Sequence, residues 1–451
     1  MTFLLIGITA LTILASMGFA YFRTRDALHP MLILGGMLLY VFVWRPAVLI
    51  GSGALLKYVT PDQILFGQTL FTLGVVALCW GILYRTPRKT GRVRFEVSTR
   101  TQRRMVEVAC VLGTLALSSY WFAIWNSGGF VKVYSHAKAH MSTGSGWFNE
   151  MVNLAIPAAA LMVLAWQAKR SSPHYLFLAL LFASPVLTTG LLGARRGPTF
   201  IISATLLVAW YVGAKRRVAL WKILIGFGTL GLLLIFLITH RREIHLGSTE
   251  VSFNVDSVFS RLVQTEVTPS DDTVFMFGYV NGIREKNAHL WGLRYIATYL
   301  VRPIPRQIWP TKYQDLGLGW MASGRDLGGI TKADWREVLG WVPRQGSAIG
   351  FVGDLFLEFS WFGLIGCYFI GRFFNALWDR GRVRGGLWTL LYVEAAALTV
   401  FVPTQSISAV FHRFLLMALP TLLIWRLHIG AGESGHSAAA LRRLRLRTAR
   451  P

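Results

Sequence analysis

The sequence predicts an all-α polytopic membrane protein with about eleven transmembrane helices and one large, mostly helical extracytoplasmic loop. Three observations carry this expectation. Apolar residues make up 54% of the 451-residue chain and charged residues only 15%, against roughly a quarter in a soluble domain. Several apolar runs reach about 17–25 residues, enough to cross a bilayer core. Lys and Arg gather in short stretches between these runs, on alternate connections, which is a topology signal. A backbone exposed to lipid has to satisfy its own hydrogen bonds, so the runs are expected to be helices.

The runs fall near 3–22, 28–44, 63–84, 105–125, 151–168, 174–193, 199–214, 219–239, 348–377, 387–403 and 407–427. The first follows Met1-Thr2 without a basic start or a small-residue cleavage site, so it is read as a span and not a signal peptide. The stretch 85–104 carries eight Lys/Arg and one acidic residue and is expected on the cytoplasmic side. Alternation then brings the basic stretches 23–26, 169–172, 215–217 and 379–384 to the same side, with the basic tail 429–451. The sparsely charged stretches 45–62 and 126–150 fall outside. One orientation satisfies every connection: N-terminus out, C-terminus cytoplasmic. Four regions follow: helices in 1–239, an outer loop at 240–346, helices in 347–428, and the tail.

The net charge of +25 does not point to nucleic acid, because it is spread over connections and not over one folded face. Cys79, Cys110 and Cys367 form no CxxC pair, so no metal is expected. The glycine run GFGTLG at 226–231 lies inside a span and reads as helix packing, not as a dinucleotide fingerprint. No phosphate-binding P-loop motif occurs, and no cofactor is expected.

Two arginine pairs break the positive-inside bias. Arg195 and Arg196 in LTTGLLGARRGPTF, and Arg241 and Arg242 in THRRE, fall at the outer face. They either snorkel to headgroups or form an anion site there. The outer segment from His240 to Gly346 has thirteen Lys/Arg and eleven Asp/Glu and is rich in aromatics, so it is expected to fold. Within it, LWGLRYIATYL has apolar residues at helical spacing and is expected on the membrane surface or against the bundle. The stretch VRPIPRQIWPTKY presents Arg302, Arg306 and Lys312 on a proline-punctuated backbone, which suits a phosphate or pyrophosphate. Asp354 and Glu358 stand four residues apart and share one helix face. Near a membrane they need a polar cavity or paired arginines. Glycines at 350, 353, 363, 366 and 371 permit close helix approach. Trp291, Tyr295, Tyr299, Trp309, Trp320, Trp335 and Trp341 are either stacking faces for sugars or ordinary packing.

Four of these features together resemble the bacterial O-antigen polymerase family (Wzy type), also described as oligosaccharide repeat-unit polymerases. They are the turn GLLGARRGP, the long outer loop before the last spans, RPIPRQIWPTKY within that loop, and SAIGFVGDLFLEFSWFGLIG after it. The resemblance covers about 190–372; residues 1–170 match in topology only. Directly after Gly353 this sequence has Asp354 where the family has Glu more often, so Asp354 and Glu358 both remain candidates for the acidic role. The resemblance implies a metal-independent membrane glycosyltransferase at the outer leaflet of the bacterial cytoplasmic (inner) membrane. It would polymerise oligosaccharides carried on undecaprenyl pyrophosphate into O-antigen, capsule or exopolysaccharide, and it leaves room for a chain-length regulator as a partner. Arg195, Arg196, Arg302 and Arg306, then Lys312, Arg241 and Arg242, would hold the pyrophosphate. Glu358, Asp354 or His289 would be the base on the acceptor hydroxyl, with Asp271 and Asp272 behind them; His412 reads as a satisfied polar residue. A ligase passing polymer to another acceptor shares this architecture, and His240, His245 and His289 leave it open. A transporter or flippase of lipid-linked glycans, or an assembly scaffold, are further alternatives.

Overall fold

A computed structural model of the chain describes residues 1–87, 99–135, 150–168, 172–193, 195–214, 218–240, 244, 246, 267–269, 271–304, 308–319, 330–343, 349–384 and 386–426. Among these residues there are helices and no strands. Eight helices are long and apolar enough to cross a membrane, and three shorter apolar helices lie at 152–168, 197–213 and 386–401. They coincide with the apolar runs, so the chain is an all-α, multi-pass membrane protein.

The N-terminal helices are α1 (Thr2–Thr24), α2 (Pro30–Gly51), α3 (Pro61–Leu83), α4 (Thr99–Asn126), α5 (Ala155–Ala168), α6 (His174–Leu191), α7 (Arg196–Gly213) and α8 (Leu220–Thr239). Their starts follow local chemistry. At α3, Thr60 and Gln63 form a reciprocal capping box and Pro61 takes the first helical position, where its missing N–H costs nothing. Further on lie α9 (Asp272–Lys286), α10 (Leu293–Ile296, continuing as a π-helical turn over Ala297–Val301), α11 (Lys332–Leu339), α12 (Gly350–Phe359), α13 (Gly363–Arg384), α14 (Gly386–Leu398) and α15 (Ile407–Ile424).

The chain divides into two compact units. Unit 1 comprises Met1–Thr90, Ser260–Ala376 and Leu398–Arg413; unit 2 comprises Gly91–Phe259, Leu377–Ala397 and Phe414–Pro451. In unit 2, α5 packs against α4, α6 and α7. The α5 sequence AIPAAALMVLAWQA is buried on nearly every side, and its alanines let neighbours approach. Trp166 stacks on Trp210 with ring centroids 4.8 Å apart.

In unit 1 the core is built on α9. Every residue from Thr273 to Ile283 is buried, as expected of a helix apolar all round. It packs on α3, α11 and α12. Phe277 meets Phe71 edge-on at 5.1 Å, and Phe275 stacks on Trp335 at 5.5 Å. The sequence suggested an outer cap here; the described part of that segment supplies the centre of unit 1.

Two further features concern the glycines, which allow close backbone approach as expected, and the span expected at 348–377. Gly81 of α3 and Gly371 of α13 face each other's backbones: a Cβ on Gly81 would lie 2.1 Å from the Tyr368 carbonyl oxygen, and one on Gly371 2.3 Å from that of Leu78. Gly371→Ala is therefore expected to destabilise the protein by about 1–3 kcal/mol, read as earlier thermal unfolding in detergent. Gly7→Ala, where a Cβ meets nothing within 4 Å, is the control; equal melting of the two variants would contradict this contact. The expected span, by contrast, is broken. After α12, Ser360 adopts φ 52° and ψ −138° and a single 3-10 turn leads into α13. In a straight helix residues 355 and 363 stand about 12 Å apart. Here a Cβ on Gly363 would come within 2.5 Å of the Leu355 carbonyl oxygen, so the chain bends sharply. Of the five glycines expected to allow close packing, Gly353 meets only ordinary contacts.

Candidate functional site

The buried charges of unit 1 meet where α10 lies on α12. Asp354 and Glu358 are on one face of α12, and a single side chain reaches both. Arg294 donates through Nε to Glu358 Oε1 at 2.7 Å and through Nη2 to Asp354 Oδ1. The guanidinium is a rigid fork, which suits this bridging. The remaining oxygens are also engaged. The Tyr295 hydroxyl donates to Asp354 Oδ2 at 2.7 Å, and the backbone N–H of Ile407 donates to the same oxygen at 2.9 Å. The Gly292 N–H donates to Glu358 Oε2 at 3.0 Å. Both carboxylates are 0% exposed and Arg294 is 6% exposed.

One cation faces two carboxylates. Ile407 is the first residue of α15, so the positive end of that helix adds to the balance at Asp354. Burial works against the charge of Arg294, but the facing Asp354 and Glu358 carboxylates and the nearby tyrosines hold it well above its usual range. Burial, and then the Asp354 carboxylate, push the Tyr295 phenol well up, so Tyr295 stays a donor.

The loop entering α10 is tied to the last turn of α12. His289 Nδ1 lies 3.0 Å from the Phe356 carbonyl oxygen, and the Leu290 N–H donates to the Leu357 carbonyl at 3.0 Å. A carbonyl only accepts, so Nδ1 carries a hydrogen at this contact, and in the neutral ring Nε2 is then the nitrogen with the lone pair. The imidazole is half-buried. Asn287, Trp291 and Gly292 all have positive φ, at 47°, 52° and 84°. For a tryptophan this costs roughly 1–2 kcal/mol, and the α12 tether offsets it. Trp291 is 63% exposed, with its ring centroid 6.0 Å from that of His289. An imidazole with a directed lone pair thus stands beside an open aromatic face.

No family model, curated protein or solved structure matches this chain.

Several expected site residues have other work in the structure. Lys312, expected to bind pyrophosphate, is 3% exposed. Its Nζ donates to the carbonyls of Val301 at 3.0 Å, Arg302 at 3.1 Å and Ile304, which satisfies the C-terminal carbonyls of α10. Asp271 pairs with Arg45 of α2, whose Nη2 is 2.6 Å from its Oδ2, and its Oδ1 caps α9 by accepting from the Thr273 N–H. Asp272 lies in the first turn of α9. Arg302 is exposed just after α10. In unit 2, Arg195 is half-buried at the N-cap of α7 and Arg196 is that helix's first residue. His240 there is buried, with Nδ1 3.1 Å from the Phe236 carbonyl oxygen. Arg241, Arg242, His245, Arg306 and Trp320 lie outside the described residues.

The aromatics divide the same way. Trp335 is 0% exposed in the core, and Trp341 packs on it at 5.0 Å while donating to the Tyr58 carbonyl at 2.8 Å. Both pack within unit 1. Trp309 donates to Asp315 at 2.7 Å, and Tyr299 to the Ser408 carbonyl at 3.1 Å. Trp291 keeps an open face. Among the described residues no group of three or more His, Cys, Asp or Glu could hold a metal ion.

Arg294 is the residue that sequence reasoning passed over. Its signal was present: one cation inside the apolar stretch LWGLRYIATYL, upstream of two acids on one helix face.

Proposed function

We propose that this chain is a membrane glycosyltransferase that joins oligosaccharides carried on a polyprenyl pyrophosphate. In a bacterium that carrier is undecaprenyl pyrophosphate, and the reaction would run at the outer face of the cytoplasmic membrane. The observation that carries the reading is the half-buried His289, its Nδ1 hydrogen committed to the Phe356 carbonyl. A sugar hydroxyl attacks an anomeric carbon only as it loses its proton, and a base within hydrogen-bond reach accelerates this by about 10²–10⁴. His289 Nε2 would take that role, and the Trp291 ring would offer the apolar face on which a pyranose stacks. The attack forms the new glycosidic bond and breaks the bond to the carrier's phosphate oxygen, which leaves as pyrophosphate. Exposed Arg302 is a cation of this segment suited to meet that charge.

Asp354 and Glu358 take a different part in this reading. They touch neither solvent nor substrate, and each oxygen is already engaged. They hold the Gly292–Tyr295 turn, and through it His289 and Trp291. They are positioning residues; His289 is the base.

The break between α12 and α13, beside buried ionisable groups, favours a second reading. Interrupted helices of this kind form substrate sites in transporters, so a carrier of lipid-linked glycans is the competing function.

Deletion of the gene, with surface polysaccharide sized on a gel, separates the two. For a polymerase, long chains vanish and single repeat units remain on the surface or the carrier. For a ligase, full-length polymer stays on the carrier. For a transporter, lipid-linked units accumulate on the inner side. Arg302→Ala is expected to reproduce the deletion while the protein still inserts; normal chain length in that variant would remove Arg302 from the site.

A further inference from the structure

Unit 2 holds an acid that the proposed reaction does not use. Glu394 lies on α14, within the apolar helix 386–401, and is 1% exposed. It makes no ion pair among the described residues. Its Oε1 is 3.1 Å from the Thr421 hydroxyl oxygen on α15, and its Oε2 has no hydrogen-bond partner.

The hydrogens at this contact can be counted. Thr421 has one hydroxyl hydrogen. The same oxygen lies 2.8 Å from the Met417 carbonyl, one turn back on its own helix, the usual back-bond of a helical threonine. That carbonyl can only accept. One hydroxyl hydrogen cannot serve both acceptors fully, whereas a hydrogen on the carboxyl would supply the second contact. An ionised carboxylate would share that one hydrogen with the Met417 carbonyl, leave Oε2 without a partner, and have no ion pair among the described residues. Such a charge is not retained in a protein interior; the group neutralises instead. A carboxylic acid fits as it stands. Its O–H donates to Thr421, and Thr421 donates to Met417.

We propose that Glu394 is a proton-binding site inside unit 2, standing as a neutral carboxylic acid that donates its hydrogen to Thr421. The proton comes from the aqueous phase as α14 and α15 assemble and returns to it if they part; no other bond forms or breaks. The site goes beyond the glycosyltransferase reading and stands or falls without it.

Infrared spectra of the full-length protein in lipid nanodiscs at neutral pH test this. The wild-type minus Glu394→Gln difference is expected to contain the carbonyl stretch of one protonated carboxylic acid, absent from the variant. A difference that instead shows the antisymmetric stretch of a carboxylate overturns the proposal. Should Glu394→Gln not fold, Thr421→Val serves. Removing the acceptor should shift the acid carbonyl band to higher frequency, and a spectrum without any shifted acid band would overturn the hydrogen bond. Neither readout depends on polysaccharide synthesis, so failure here leaves the transferase reading untouched, and the reverse.

Discussion

Arg294→Met is expected to destabilise the protein by about 3–5 kcal/mol, the usual cost of stranding one side of a buried ion pair. The figure belongs at the upper end here, because the change leaves two carboxylates, each 0% exposed, without their shared cation. In detergent the variant should unfold well below the wild type and elute in part as aggregate. Arg294→Lys should fall between, since an ammonium retains charge but lacks the fork that spans both acids. Adding Asp354→Asn and Glu358→Gln to Arg294→Met should recover much of the lost stability, because the triple change removes the uncompensated charge as well as the pair. If Arg294→Met melts with the wild type, these three residues do not hold α10 to α12. If the triple change recovers stability but not polymer synthesis, that supports a positioning role over a purely structural one.

His289→Asn should lower polymerisation by about 10²–10⁴-fold, the range general-base catalysis supplies, with insertion and thermal stability close to the wild type. Asparagine can still offer an N–H toward the Phe356 carbonyl, which His289 Nδ1 now reaches at 3.0 Å, but it has no basic nitrogen. His289→Ala removes both functions. The comparison matters: equal loss of activity in the two variants points to the missing base, whereas activity retained in His289→Asn alone points to the tether. A rate within a few-fold of the wild type in both would discard His289 as the base and with it the observation on which the transferase reading rests.

The membrane class and the helix positions were legible because they follow from local chemistry. An apolar run long enough to cross lipid has to be helical, and Thr60-Pro61 followed by Gln63 marks a helix start without help from the rest of the chain. The i, i+4 spacing of Asp354 and Glu358 likewise placed both on one face before any neighbour was known. The basic stretch after α10 was harder to read. Nearness in sequence groups Lys312 with Arg302, yet Lys312 folds back on the carbonyls of residues 301, 302 and 304. A chain segment with exposed carbonyls at a helix end recruits the nearest cation, and nothing in composition says which one.

By itself, the sequence determined that this is an all-α, multi-pass membrane protein with acids and arginines flanking its apolar helices. Only the tertiary structure decided which charges are paired. Arg294 meets acids 60 and 64 residues away, and Arg45 meets Asp271 across 226 residues. Hydropathy and helical period act over a few turns and can be read along the chain. The partner of a buried charge is chosen by desolvation, which penalises every unpaired alternative but acts only once the helices have packed.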